Sequence, residues 1–489
     1  MALQHKYSKQ SLGHHAANCE EHAVFEDWID ILQRGEFEVS VPMLSVNSDP
    51  IGTLTGSGQF RWNADSGIRI QAVTNGRDTL MQQSDGRVGT PGQLISHAEY
   101  VTFSGRTQDN WELTADRMPR DGHHIHTSLP DVTWDLSTTG LTLRREAGHS
   151  HQCHRILIGP CPRVWPRFTE SEVRNEFFGG KSSTRDWLLT DCSIGQVAAR
   201  RRSDEWLEVK VVPHAGLPIH DASTTSKIVA RAFSFVLGRR CVIRGEVWIS
   251  DNQETRRISV PHQETTRNSL PTPLGTSIEF LRNVETLLGT AIDFFGTELG
   301  ERVAPYQYLC WDTADNSHLT QLAISSICVE GLVRVAAETL GPTQPQADPA
   351  DITAFQAWLK TKPAEFSESF LNRLNGMLGM FGNLSTNEIF RYWENREILG
   401  ITKEDRQAWN DLRNPSAHGR LTEAEDRSEL QTRITRHDRV QNLLNKVLLQ
   451  LMGYKGKFID YSQSGYPAVD FPYVALQGEA AASEVTLSG

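Results

Sequence analysis

Arg413 and His418 stand five positions apart in the run Trp409-Asn410-Asp411-Leu412-Arg413-Asn414-Pro415-Ser416-Ala417-His418-Gly419, with an amide, Asn414, directly after the arginine. A guanidinium fork can hold the charge that develops on a phosphoryl oxygen. An imidazole, with an ordinary pKa of about 6.5, can take up or deliver a proton near neutral pH. Asn414 can orient either group through its amide. These are the groups that RNA cleavage needs when the ribose 2′-hydroxyl is the nucleophile. That chemistry requires no metal and leaves a 2′,3′-cyclic phosphate and a free 5′-hydroxyl.

Spacing alone does not single out this pair, because Arg144/His149 and Arg257/His262 repeat it. Those two lie in strand-like, turn-rich surroundings without the following Asn. The third lies in a helical region. Asn414 precedes a proline, which disfavours helical dihedrals at Asn414, so Pro415 is expected to open a new helix with Asn414 as its cap. A helix kinked at Pro415 and ended by Gly419 is the other expectation. Either would bring Arg413 and His418 to a helix break facing a shared cleft. The plain structural reading is a helix-end arginine bonded to Asp411 or Glu404, with His418 satisfying a carbonyl.

The elements that must position these groups change character near residue 275. From Glu21 to Thr272 the chain reads as short alternating runs, among them Phe37–Val41, Gly58–Trp62, Ile68–Val73, Leu207–Val212 and Val242–Ile249. Period-two alternation between turn residues predicts an antiparallel sandwich or barrel. One helix interrupts it, over Thr224–Leu237. Beyond Pro271 and Pro273 the period becomes helical. Ile278, Leu281, Val284, Leu287, Leu288 and Ile292 form one stripe, and His318–Leu340 a second. The stretch from Gly341 to Pro349 cannot continue a helix. Helices are expected again over Ala364–Leu384, Asn387–Leu399 and Lys403–Leu412, and one more from a capping box at Thr422–Glu425. The division is therefore a polar N-terminal tail (1–20), a β-rich domain (21–275), a connecting helix (276–304), a helical domain (305–453) and an irregular tail (454–489). The fold class is α+β.

At 489 residues the chain is too long for one core. A net charge of −11 counts against a protein that coats nucleic acid through bulk charge, but leaves room for a local basic site. Seven scattered cysteines point to a reducing compartment, with Cys328 as core. No run of eighteen apolar residues predicts a membrane span, and the polar start lacks a secretory pattern. A cytoplasmic location is expected.

The run Arg413-Asn414-x3-His418-Gly419, after a helix and inside a multi-helix region, resembles the signature of HEPN-domain ribonucleases. The upstream helix with Cys328-Val329-Glu330-Gly331-Leu332 is similar too, and the similarity covers roughly residues 305–452. A β-rich region followed by such a domain resembles the ApeA-like bacterial anti-phage proteins. The resemblance implies Arg413 and His418 as catalytic residues, Asn414 beside them and Glu330 in support; Glu330 also reads as an ion-pair partner. Pro415 departs from the family's usual helix former. The resemblance implies a homodimer whose composite cleft holds two Arg/His pairs, and no cofactor. It further implies RNA as substrate, transfer RNA included, with a phage-derived trigger acting on the β-rich domain. The competing reading is a non-catalytic HEPN dimerisation module joined to a ligand- or protein-binding β domain.

Other constellations carry less. His149, His151, Cys153, His154 and Cys161, with His123, His124 and His126, are metal-ligand types without paired Cys-x2-Cys knuckles, so polar strand faces explain them. Gly179-Gly180-Lys181-Ser182 lacks the first glycine of a phosphate loop, since residue 175 is Asn. Asp191 with Glu208-Val209-Lys210 mimics a metal-dependent DNA nuclease strand, but exposed Glu and Lys on an alternating strand are the simpler expectation. Arg200-Arg201-Arg202, followed by Asp204 and Glu205, reads as a solvated loop. Trp62, Trp111, Trp134, Trp165, Trp187, Trp206 and Trp248 read as core.

Overall fold

Alternation of apolar and polar residues builds the N-terminal half. In the computed structural model, which describes residues 22–48, 52–76, 100–119, 123–125, 131–148, 152–160, 187–203, 205–214, 222–250, 252–260, 268–275, 278–342, 348–361, 366–381, 384–417 and 426–471, Ile68, Ile70 and Ala72 point inward while their neighbours face out. The strands are β1 (Glu36–Ser48), β2 (Gly52–Asn63), β3 (Gly67–Asn75), β4 (Tyr100–Arg106), β5 (Glu112–Ala115), β6 (Met118–Pro119), β7 (His123–Ile125) and β8 (Asp131–Thr138). They continue as β9 (Gly140–Glu146), β10 (Cys153–Gly159), β11 (Trp187–Cys192), β12 (Gly195–Arg201), β13 (Leu207–Val212), β14 (Val242–Ser250) and β15 (Gln253–Ser259).

All belong to one hydrogen-bonded sheet in the order β11-β12-β13-β10-β14-β15-β9-β5-β4-β1-β2-β3-β8-β7, with β6 on β4. The antiparallel, β-rich half expected from the sequence is present, and its described strands join along one hydrogen-bonded path. Its core nonetheless joins distant strands: Val46, Phe60 and Trp134 share a cluster with Leu157, Val247 and Ile249. A sheet this wide must curl to bring such residues together. Helix α1 (His22–Arg34) packs on β14, where Leu32 occupies the space that a Cβ on Gly245 would fill. Trp28 donates its indole N–H to the Glu246 carbonyl at 3.1 Å. This helix lies where only strands were expected.

Three sequence readings of this half need correction. Glu208 is not exposed: it is fully buried, bound by Arg155 Nε and Arg200 Nε, each at 2.6 Å. Arg200 and Arg202 are likewise not a solvated loop, since Arg202 pairs with Asp30 and Arg200 closes on Glu208. A carboxylate held by arginines is poorly placed to ligate a metal. The β10 residues Cys153 and His154 are buried rather than set on a polar face. Trp62, Trp111 and Trp134 are core, as read from the sequence.

The chain divides into two compact units, Met1–Arg231 with Cys241–Thr265, and Ala232–Arg240 with Thr266–Gly489. The division falls within helix α2 (Ala222–Leu237). The second unit is helical: α3 (Ile278–Phe295), α4 (Glu298–Trp311), α5 (His318–Leu340), α6 (Pro349–Lys360), α7 (Glu368–Phe381), α8 (Thr386–Asn395), α9 (Lys403–Ala417) and α10 (Arg427–Leu451). The single connecting helix expected over 276–304 is two, because Thr297 caps α4 by accepting from the Gly300 amide. Helix α10 starts at an Asp426 cap; the expected capping box at Thr422–Glu425 lies outside the described residues. The segment after Tyr454 is not loose as far as Phe471. It forms a small hairpin, β16 (Lys457–Ile459) with β17 (Ala468–Asp470), and buries Tyr454, Phe458 and Phe471.

Helix α5 is the one described helix long and apolar enough to cross a membrane by length and composition, and half of its most apolar window is buried. It buries Leu322, Cys328, Val329, Leu332 and Val333 and packs against α4, α8, α9 and α10.

Candidate active site

Two helices, α5 and α9, position the arginine singled out by its spacing to His418. Ser317 caps α5 by accepting from the Thr320 amide. At the start of α9 the Asp405 amide donates to Thr402 Oγ1 at 3.3 Å, while the Thr402 amide donates to Asp405 Oδ2 at 3.2 Å. This reciprocal arrangement satisfies two donors that a helix start leaves open. Helix α9 buries Ala408, Trp409 and Leu412. The Trp409 indole donates to the Ser326 carbonyl on α5 at 3.0 Å and its ring meets Phe390 edge-on.

One helical turn further along both helices, Arg413 meets Glu330. The step from 409 to 413 on α9 equals the step from 326 to 330 on α5, so each pair lies on one face of its helix. Arg413 Nε donates to Glu330 Oε2 at 3.0 Å. Glu330 Oε1 accepts from Arg334 Nη2, one turn on along α5, at 2.9 Å. The carboxylate is 19% exposed, Arg413 35% and Arg334 58%. A half-buried carboxylate between two guanidinium groups leaves the cluster one positive charge in excess. Beside Glu330, Gly331 allows close helix packing, since a Cβ there would lie 2.1 Å from Tyr306 Cε1 of α4.

Ion pairs tie α9 to α10. Asp405, buried, accepts from Arg439 at 2.9 Å, and Asp411 pairs with Arg436 at 2.9 Å. Arg413 therefore does not pair with Asp411 or Glu404, as the plain reading had it, but with Glu330. Asn414 is exposed and donates to Asn410 Oδ1 at 3.4 Å, back along its own helix. The structure thus brings together Arg413 and Glu330, and leaves Asn414 outside their hydrogen-bonded cluster. His418 and Gly419 lie outside the described residues.

The expected helix break at Pro415 is not there, for α9 runs through Pro415 to Ala417. Proline removes the N–H that would reach the Asp411 carbonyl, at a cost of about 3 kcal/mol in a helix interior. The buried Trp409 and Leu412 and the two ion pairs to α10 hold the helix against that cost.

Arg334 was not singled out from the sequence, although Glu330 and Arg334 have the i, i+4 acid–base spacing that marks a helical ion pair. A buried polar chain was also missed. Gln441 Nε2 donates to Ser325 Oγ at 2.7 Å, and His437 Nε2 lies 3.4 Å from both Gln441 Nε2 and Ser325 Oγ. Burial, with the neighbouring His318 adding to it, pushes the His437 pKa down to about 4. A neutral imidazole is what such a site accommodates.

In the first unit, Ser226, His154 and Glu246 form a buried cluster. Glu246 Oε2 lies 2.8 Å and Ser226 Oγ 3.2 Å from the same His154 Nε2. A serine-nucleophile triad needs the acid on the other ring nitrogen, so this is not one. Among the described residues no three His, Cys, Asp or Glu side chains gather as a metal site would require. His149, His151, His126 and Cys161 lie outside those residues, as does the 179–182 loop, and the side chains of His123 and His124 are not described.

No family model matches the chain, and no curated protein matches it. Comparison with solved structures finds CmlS, a flavin-dependent halogenase, at 10% identity over 92% of this chain and 88% of that one. Its TM-score of 0.12 carries no argument about fold or chemistry.

Proposed function

We propose that the chain is a metal-independent endoribonuclease of the HEPN type, acting in anti-phage defence like the ApeA-like proteins that its layout resembles. The observation that supports it is the Arg413–Glu330 pair: the arginine of the signature is fixed by a carboxylate from the neighbouring helix, through Nε at 3.0 Å. Fixing the guanidinium through Nε leaves its Nη edge to meet a phosphate, and among the described residues no acceptor engages that edge. A fixed donor aimed at developing charge stabilises a transition state without reorganising.

In the proposed reaction the 2′-oxygen attacks phosphorus and the P–O5′ bond breaks. One imidazole takes the 2′-hydroxyl proton and a second delivers a proton to the departing 5′-oxygen. Two imidazoles are needed at one phosphate, which a homodimer with His418 from each copy would supply. Arg413 then stabilises the charged phosphoryl oxygens, and Asn414 orients the substrate from the rim. Transfer RNA is the substrate the resemblance suggests. The β-rich unit would sense a phage-derived trigger and control the nuclease, in the cytoplasm.

Cleavage of total RNA by the purified protein in excess EDTA, beside Arg413→Ala and His418→Ala, tests this reading. The expected result is cleavage that survives EDTA, leaves cyclic phosphate ends and vanishes in both variants. Cleavage indifferent to both substitutions would sink it. Silence with and without extract of phage-infected cells would favour the dimerisation module, for which the helical continuation through Pro415 speaks.

A further inference from the structure

We infer that Arg334 is a second phosphate contact of this site, aligned with Arg413 by the one carboxylate they share. The inference rests on the ribonuclease reading above and adds a residue to it. Glu330 uses one oxygen for each arginine: Oε2 for Arg413 at 3.0 Å and Oε1 for Arg334 at 2.9 Å. The two guanidinium groups are thus fixed a few ångströms apart on either side of a planar group. Both charges cannot be cancelled by one carboxylate, so the cluster attracts a further anion.

The geometry suits a chain of phosphates better than a single one. Arg334 is the more exposed of the two, and its Nε reaches Thr386 Oγ1 at 3.5 Å, which limits its swing. A guanidinium carries five donors, so bonds to Glu330 and Thr386 leave others to reach a phosphate. The exposed Ile327 lies on the same stripe of α5 as Glu330 and Arg334, three and seven residues before them. It offers apolar surface beside the two cations, as a ribose or base would need. An exposed i, i+4 pair made only for helix stability would need no second, half-buried arginine on its carboxylate.

The test measures binding of a fluorescent single-stranded RNA by the full chain carrying His418→Ala, between about 50 and 200 mM salt. In that background Arg334→Gln should weaken binding several-fold and reduce the slope of log affinity against log salt by about 0.7, the value for one phosphate on a single strand. Arg334→Lys should keep the slope. Arg302→Gln removes an exposed arginine that pairs with Glu338 outside this cluster, and should also keep it. In the cleaving protein, Arg334→Gln should raise KM with kcat little changed, a split that a merely structural role would not produce. An unchanged slope in Arg334→Gln, or an equal loss in Arg302→Gln, overturns the inference while leaving the ribonuclease reading intact. Absence of RNA binding by the parent at any salt overturns both.

Discussion

Glu330 accepts from Arg413 across 83 positions of sequence, one helical turn beyond the bond from Trp409 to the Ser326 carbonyl. The indole bond fixes how far α9 slides along α5, and that register decides which α5 side chain the arginine meets. Glu330→Ala should therefore free Arg413 without removing its charge. A misplacement of about 1 Å at a reacting group can cost on the order of a hundredfold. RNA cleavage is expected to fall by roughly 10–100-fold, with kcat affected and dimer content unchanged by light scattering. Full activity in Glu330→Ala would show that the carboxylate does not position the arginine.

Trp409→Phe gives a second view of the same register. It keeps the ring against Phe390 but removes the indole donor to the Ser326 carbonyl, which is left with the amide bond of its own helix. The expected loss is about 0.5–1.5 kcal/mol in urea unfolding. Cleavage should fall with it even at temperatures where the protein is fully folded. Unchanged cleavage in a destabilised variant would separate helix register from the site.

Glu208 makes a stability prediction in the β-rich unit. Burial alone would raise its pKa, but Arg155, Arg200 and Arg202 together hold it below the usual carboxylate range. Its contribution is present above the unfolded value of about 4.3 and is lost as pH falls through the lower folded one. Glu208→Gln leaves three arginines facing one another and should cost about 3–5 kcal/mol. Urea unfolding followed through that unit would check it; a cost under about 1 kcal/mol would show that the arginines find other partners.

How much of this was readable in the sequence depends on what kind of signal each element carries. Period-two runs such as Ile68–Val73 and the 3.6-residue stripe of His318–Leu340 are legible, because each buries its apolar positions in the core of its own unit. Prolines are ambiguous in both directions. Pro349, at the end of a stretch that cannot continue a helix, opens α6 with Asp348 as the cap; Pro415, which by local preference breaks a helix, lies within one. Local preference decides such cases only when tertiary packing is weak, and the packing of Trp409 and Leu412 is not. The partner of Arg413 is half legible: Glu330 reads as an ion-pair partner, but no local pattern joins it to Arg413 in preference to Glu404 or Asp411 on the arginine's own helix. Buried charge defeats pattern reading as well: Glu208-Val209-Lys210 alternates like an exposed strand, and only the three arginines explain why its glutamate is inside.

His437 should make the helical unit sensitive to acid. Its folded pKa is about 4 against about 6.5 in an unfolded chain. Above about pH 6.5 both states are neutral there and stability is full. As pH falls below that, the unfolded chain takes up a proton that the buried imidazole refuses, and the loss is complete near pH 4. The shift corresponds to about 3 kcal/mol. His437→Gln keeps hydrogen-bonding capacity toward Ser325 and Gln441 without titrating. Its stability should vary less with pH across this window, by about one proton's worth of slope; an identical pH profile would sink the assignment.

Pro415→Ala tests how the end of α9 serves the site. Alanine restores an N–H that a helix aims at the Asp411 carbonyl, so the protein should gain about 1–3 kcal/mol. A sequence read as a break at Pro415 predicts no such gain. In an ideal helix positions five apart lie about 140° apart round the axis, so a more strongly helical stretch there would part an Arg–x4–His pair. The two groups can act on one phosphate within a chain only if the backbone leaves that path. Pro415→Ala is therefore expected to raise Tm and to lower RNA cleavage by roughly tenfold or more, the opposite signs marking a helix end used for placement. A variant that is more stable and fully active would mean that the imidazole facing Arg413 comes from the partner copy. Mixed dimers of unmodified and His418→Ala chains, left with one of the two imidazoles that the proposed reaction uses, would then lose most of their activity.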